Sequence, residues 1–298
     1  MINLNKNGNN GYSIIKTLPV WLVLSILFSG IAGCKSKRVR YTPTGYDITK
    51  PENTELGNKL REISGICWIN DSLMLANNDE SGKIFAINLK DMKDFTYRNV
   101  EFGSKDDYED IVKVDSSIYL LISTGQIVEV TGYKNEENIQ SSIVATLVGK
   151  DNEFETLYYD PSVHSLIMLC KNCNKEKDKI RSAFRFDLAT KTLIDTPYYT
   201  IDLDLIRKKL DDSRAEFRPS AAAIHPVQNK LYIVSSIGKL MVVTDTKGKV
   251  QQTIPISPIM FPQPEGITFA ANGDMYISNE SPLDERATLL KFNYKKSE

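Results

Sequence analysis

The sequence predicts an all-β protein: a five-bladed β-propeller of four-stranded blades, closed by an N-terminal strand that completes the last blade. Three observations carry this. First, five segments fall in register: Ser64-Gly65-Ile66-Cys67-Trp68, Glu109-Asp110-Ile111-Val112-Lys113, Glu155-Thr156-Leu157-Tyr158-Tyr159, Ser220-Ala221-Ala222-Ala223-Ile224 and Glu265-Gly266-Ile267-Thr268-Phe269. Their third residues lie 45, 46, 65 and 45 positions apart, and a period of about 45 is the span of one propeller blade. Second, every copy runs on into a turn and further β-rich strands. Third, the last copy exhausts the chain near Tyr294 after three strands, while an unclaimed segment, Tyr46-Asp47-Ile48-Thr49-Lys50, precedes the first. Pairing that segment with the last blade closes the ring and hides two sheet edges.

The chain opens on an export signal. Lys6 and Lys16 precede fifteen uncharged residues, Leu18 to Ala32, with no acidic residue before them. Fifteen helical residues fall short of a hydrocarbon core of about 30 Å, so a cleaved signal fits better than a permanent span. Ile31-Ala32-Gly33-Cys34 resembles a bacterial lipobox. That resemblance implies cleavage before Cys34, lipidation of its thiol, and a cell-envelope protein tethered to membrane; no acidic residue directly follows Cys34, which for a lipoprotein of a Gram-negative bacterium implies transit to the outer membrane. The organisation is then signal peptide 1–33, anchor and linker 34–43, propeller 44–298. The mature chain carries 35 Lys and Arg against 38 acidic residues, a net charge of −3, which lacks the basic excess of a nucleic-acid binder.

Within the blades, second strands read Leu73-Met74-Leu75, Ile118 to Leu121, Leu166 to Leu169, Leu231 to Val234 and Met275 to Ile277. Third strands start beside Gly82, Gly125, Ser182, Gly238 and Ala287; fourth strands fall near 96–102, 142–148, 198–203 and 250–256. Apolar alternation between turn residues is the strand signature. The 65-residue interval holds an insertion, Leu203 to Asp212, whose apolar residues at 203, 205, 206 and 210 suit a short helix capping a blade edge.

Glu62-Ile63-Ser64-Gly65-Ile66, Asp107-Tyr108-Glu109-Asp110-Ile111, Pro219-Ser220-Ala221-Ala222 and Gln263-Pro264-Glu265-Gly266-Ile267-Thr268-Phe269 resemble the blade motifs of the SdiA-regulated (YjiK-like) family, over about residues 44 to 295. The resemblance implies a five-bladed propeller with a calcium site, and no assigned activity. Asp110, Thr156 and Ala221 depart from the motif glycine.

First strands of propeller blades line the channel. The register therefore sets Ser64, Glu109, Glu155, Ser220 and Glu265 at one level around it. Crowded carboxylates repel unless a cation or protons intervene. Glu109, Glu155 and Glu265 thus form a candidate site for a divalent cation, calcium being the hard ion that accepts six to eight oxygen ligands. Alternatively the same glutamates bond neighbouring backbone and lock the ring. Asp79, Asn279 and Glu280, at strand-two ends, join Ser64 and Ser220 as candidate ligand contacts at the channel mouth, with Lys171 a candidate anion contact.

Cys170 and Cys173 can form a local disulfide, remain thiols or bind metal; an oxidising compartment favours the disulfide. Cys67 reads as a buried free thiol. His225 and His164 are the only histidines, and His225, in a turn before Pro226, is poorly placed for catalysis. No nucleophile elbow, phosphate loop or metalloprotease motif occurs. A binding module leads; a calcium-dependent hydrolase of esters, lactones or glycans with a channel carboxylate as base is the second reading, and a purely structural propeller the third.

Overall fold

The computed structural model describes residues 42–91, 98–147, 152–174, 176, 178–280 and 286–296. The segment expected as a signal peptide, 1–33, and Cys34 lie outside the described residues, as do Thr96 and Val148, the expected ends of two fourth strands.

Five four-stranded antiparallel sheets form the five blades. Blade one comprises β2 (Ile63–Asn70), β3 (Leu73–Asn78), β4 (Lys83–Asn88) and β5 (Arg98–Glu101). Blade two comprises β6 (Tyr108–Val114), β7 (Ser117–Ile122), β8 (Gln126–Thr131) and β9 (Gln140–Thr146). Blade three holds β10 (Asn152–Asp160), β11 (Ser165–Cys173), β12 (Ile180–Asp187) and β13 (Thr192–Asp202). Blade four holds β14 (Ala221–Ile224), β15 (Leu231–Ser235), β16 (Leu240–Thr244) and β17 (Val250–Pro255). In blade five, β18 (Pro264–Phe269), β19 (Met275–Asn279) and β20 (Thr288–Phe292) are joined by β1 (Glu52–Glu55) from the N-terminal side.

The first strands β2, β6, β10, β14 and β18 contact one another in ring order. Because each strand alternates its side chains between two faces, every seam between blades receives apolar residues from both sides. The result is five core clusters, one per seam. The seam between blades two and three, for example, packs Tyr119, Leu121 and Ile127 against Phe154, Leu157 and Met168.

The N-terminal closure differs from expectation in register. The pairing strand is not Tyr46 to Lys50 but β1, with Glu52 opposite Lys291 and Thr54 opposite Leu289. Tyr46 and Ile48 are instead buried in the seam between blades four and five. The physical reason is that these two apolar side chains gain more by entering that core than by lying on an outer edge strand. The Tyr46 hydroxyl donates to the Gly273 carbonyl at 2.5 Å, and its ring meets those of His225, Tyr232 and Tyr294 at centroid distances of 5.9, 6.1 and 5.4 Å. The polar sequence of β1 suits a solvated edge.

The insertion forms α1 (Leu203–Leu210). Asp202 caps it by accepting from the N–H groups of Asp204 and Leu205, and Asp211 ends it in the left-handed conformation. Leu203 and Ile206 are buried, whereas Leu205 points to solvent. Ile206 packs with Phe217 and Val250 of blade four's outer strand, so the helix covers a blade edge as its sequence indicated.

Candidate functional site

Four first strands carry the same local irregularity at the same place. Pairing slips between Tyr108 and Asp110, between Phe154 and Thr156, between Pro264 and Gly266, and between Ile63 and Ile66. A bulge leaves one residue out of the ladder and re-aims its side chain. The residues left out include Glu109, Glu155, Glu265 and Ser64, and all four line one polar cavity of about 380 Å³. The third residues of the repeats, Ile66, Ile111, Leu157, Ala222 and Ile267, line a separate, largely apolar cavity farther along the same strands. The same first strands therefore line a polar cavity at one level and a largely apolar one at another.

Asp79 and Glu280, at the ends of strands β3 and β19, also line the polar cavity, as expected for mouth residues. Ser220 and Asn279 do not. The Ser220 hydroxyl is buried and donates to the Pro264 carbonyl at 2.6 Å, locking blade four to blade five. The Asn279 amide is buried and donates to Thr288 Oγ1 at 3.1 Å and to the Met260 carbonyl at 3.4 Å. Both hold the scaffold behind the cavity.

Charge is unevenly spread around the wall. Asp79, Glu109, Glu265 and Glu280 come from blades one, two and five; Lys171, Arg218 and Lys239 come from blades three and four. Glu155 belongs to the basic side but is neutralised there, because Lys171 Nζ bonds both Glu155 and Glu153, the latter at 2.9 Å. Lys171 sits in the loop closed by the Cys170–Cys173 disulfide. Strand-end reasoning does not reach Arg218 and Lys239. Arg218 precedes β14 and Lys239 immediately precedes β16, so neither occupies a repeat position that draws notice.

The acidic arc is under-compensated. Burial, then the nearby Asp107 carboxylate, pushes Glu109 up to about 8. Burial and Glu62 push Asp79 up to about 6. Glu280 is raised by burial and by its hydrogen bond to Glu62, and Glu265 by burial against the pull of Ser236 and Lys171. Asp79 Oδ1 is buried without a hydrogen-bond partner. Such an atom is the opening a cation or proton donor fills. Among the described residues, the only His, Cys, Asp or Glu trio with ligand atoms within 4.8 Å of one another is Cys170, Cys173 and Glu176, and its two sulfurs form the disulfide. The axial carboxylates are spaced more widely than that.

The histidines stand apart from this site. His225 is buried, and its Nδ1 accepts the N–H groups of Val227 and Gln228 at 3.0 and 3.1 Å, as a turn residue would. Among the described residues no helix is long and apolar enough to cross a membrane.

No family model and no curated protein matches the chain. Solved structures do resemble it. A glutaminyl cyclase from Myxococcus xanthus superposes with a TM-score of 0.54 at 10% identity, over 82% of this chain and 95% of that one. A protein of unknown function from Bacteroides thetaiotaomicron superposes at 0.50 with 11% identity, over 76% of this chain. This chain spans only 55% of that protein's length. At such identities the likeness extends to the fold alone.

Proposed function

We propose that this protein is a lipid-anchored binding propeller of the cell envelope, whose axial pocket holds a divalent cation, calcium by its ligand chemistry, and presents a recognition face around it. The observation that carries the reading is the acidic arc: Asp79, Glu109, Glu265 and Glu280 share one partly buried wall, and Asp79 Oδ1 is buried with no partner. Uncompensated carboxylates in low dielectric take up protons or a cation, and an all-oxygen set with neither histidine nor thiolate selects a hard ion. Asp79, Glu109, Glu265 and Glu280 would hold it. Glu155, satisfied by Lys171, would be a weaker contributor than the spacing of the repeats implies. A bound cation would supply positive charge to orient an anionic ligand group.

The enzyme reading has one observation in its favour: a carboxyl pushed up to about 8, Glu109, is matched to acid–base work near neutrality. It would act as the base of a calcium-dependent hydrolase.

The test of the binding reading is calcium itself. A ligand seen only by the native state raises stability by about 2.7 kcal/mol at a hundredfold excess over Kd, so calcium should raise the melting temperature and chelator should lower it. Glu109→Gln/Glu265→Gln should remain folded and lose the response. A wild type indifferent to both calcium and chelator would sink the metal. For the anchor, Cys34→Ala should leave the membrane fraction or accumulate as precursor.

A further inference from the structure

The insertion between blades three and four is larger than an edge cap requires. Leu203 and Ile206 do the covering, yet the same segment brings several arginines together. A further cavity, of about 170 Å³, lies among Asp178, Arg181, Leu203, Arg207, Arg214, Glu216, Phe217 and Arg218, so four arginines and two acidic residues line it. That volume equals five or six waters at about 30 Å³ each.

The four arginines divide into two pairs. Arg181 is nearly inaccessible and held at all three nitrogens: Nε donates to the Phe217 carbonyl at 3.1 Å, Nη1 to the Ile180 carbonyl at 2.8 Å, and Nη2 to Asp178 at 3.4 Å. Arg207 is likewise engaged by the Asp178 carbonyl and the Asp204 carboxylate, both at 3.0 Å, and by the Ala215 carbonyl at 3.3 Å. These two fasten the insertion to blade three. Arg214 makes no ion pair among the described residues, and Arg218 has only a 3.9 Å approach to Glu216, beyond hydrogen-bond range. Two guanidinium forks thus remain with unused donors, beside two that are rigidly held. Arg218 also lines the axial pocket, on its basic side.

We propose that the cavity beneath α1 is an oxyanion subsite continuous, through Arg218, with the axial pocket, and that the ligand of this propeller carries a phosphate, sulfate or carboxylate group gripped by Arg214 and Arg218. Paired N–H donors in a fixed plane match the paired oxygens of such groups. Arg181 and Arg207 supply the rigid floor and add positive potential. This deepens the binding reading by naming the ligand class, and it does not depend on the metal.

Inorganic phosphate is the probe, titrated calorimetrically and by thermal shift at constant ionic strength, with sulfate alongside. The wild type should bind phosphate and melt at higher temperature in it. Arg214→Gln and Arg218→Gln should each weaken binding by about tenfold, as loss of ~1.4 kcal/mol does. Lys208→Gln, on the solvent face of α1, should behave as wild type. The proposal falls if neither phosphate nor sulfate binds, if both glutamine variants bind as wild type does, or if Lys208→Gln loses as much as they do. Should Arg218→Gln fold poorly, Arg214→Gln alone decides. A calcium response retained in Arg214→Gln, with phosphate binding lost, separates this subsite from the metal; calcium indifference with phosphate binding intact leaves this subsite standing.

Discussion

Asp110 Oδ2 accepts the backbone N–H of Leu157 at 2.8 Å, across the seam between blades two and three. Its other oxygen accepts the N–H of Ile111, also at 2.8 Å. Where the repeat places glycine in blades one and five, blade two thus sends a carboxylate across to its neighbour. The glycine of blade one makes room for it, since a Cβ on Gly65 would lie 2.6 Å from Asp110 Oδ1.

Asp110→Ala should therefore destabilise the protein by on the order of 3 kcal/mol, because two buried backbone donors lose their acceptor. Asp110→Asn keeps one acceptor and should cost about half as much. Urea denaturation of the two variants checks the order; equal midpoints for wild type and Asp110→Ala would show that the seam does not rely on this bridge.

Tyr46 is the anchor of the N-terminal closure. Tyr46→Phe removes the hydroxyl bond to Gly273 and should cost about 1 kcal/mol. Tyr46→Ala also empties the aromatic seam with His225, Tyr232 and Tyr294 and should cost about 3 kcal/mol or more. If Tyr46→Ala melted like wild type, the burial of that ring between blades four and five would be wrong.

These two positions mark what could and could not be read from the chain. The repeat register is legible because first and third residues of the motif recur at fixed spacings: the first residues except Ser220 line the polar cavity, and the third residues line the apolar one. Closure by an N-terminal strand is legible as a need for a missing fourth strand. Its position is not, because Tyr46 and Ile48 alternate like strand residues but serve as core filler, while Glu52 to Glu55 has no apolar pattern at all. Arg218 and Lys239 escape notice for a related reason. They reach the pocket from a connection and a strand start, where no periodicity points to the axis. Nor does sequence declare that Lys171 already satisfies Glu155.

Lys171→Met tests that last relationship. It removes the ammonium from Glu153 and Glu155, leaving a buried carboxylate unpaired, and should lower stability without metal by on the order of 1–3 kcal/mol. Freed of its partner, Glu155 would become available to the proposed cation, so calcium should bind about tenfold tighter, a gain of ~1.4 kcal/mol. Calorimetry reads both affinities. Weaker calcium binding in Lys171→Met would mean that Lys171 orders the site rather than competes with the ion.

The pH dependence follows from the same carboxylates. Glu109 has its pKa raised to about 8 by burial and Asp107, above the ordinary glutamate value near 4.3 in an unfolded chain. Between those values the native state holds more protons than the unfolded one, so the stability of the metal-free protein falls as pH rises. Asp79, raised to about 6, and Glu265 and Glu280 act in the same direction. His225 opposes them lower down: burial holds it near 4, against about 6.5 unfolded, and this neutral histidine adds stability as pH climbs through that interval. From about pH 6.5 to 8 the histidine contribution is constant and the carboxylates act alone. In chelator, the melting temperature should decline across that window. The proposed calcium would displace the retained protons, so its stabilising shift should grow over the same range, and Glu109→Gln should flatten both trends. A chelated protein whose melting temperature holds or rises from pH 6.5 to 8, or a calcium shift of one size throughout, would mean that the acidic arc is neither protonated nor the seat of the ion.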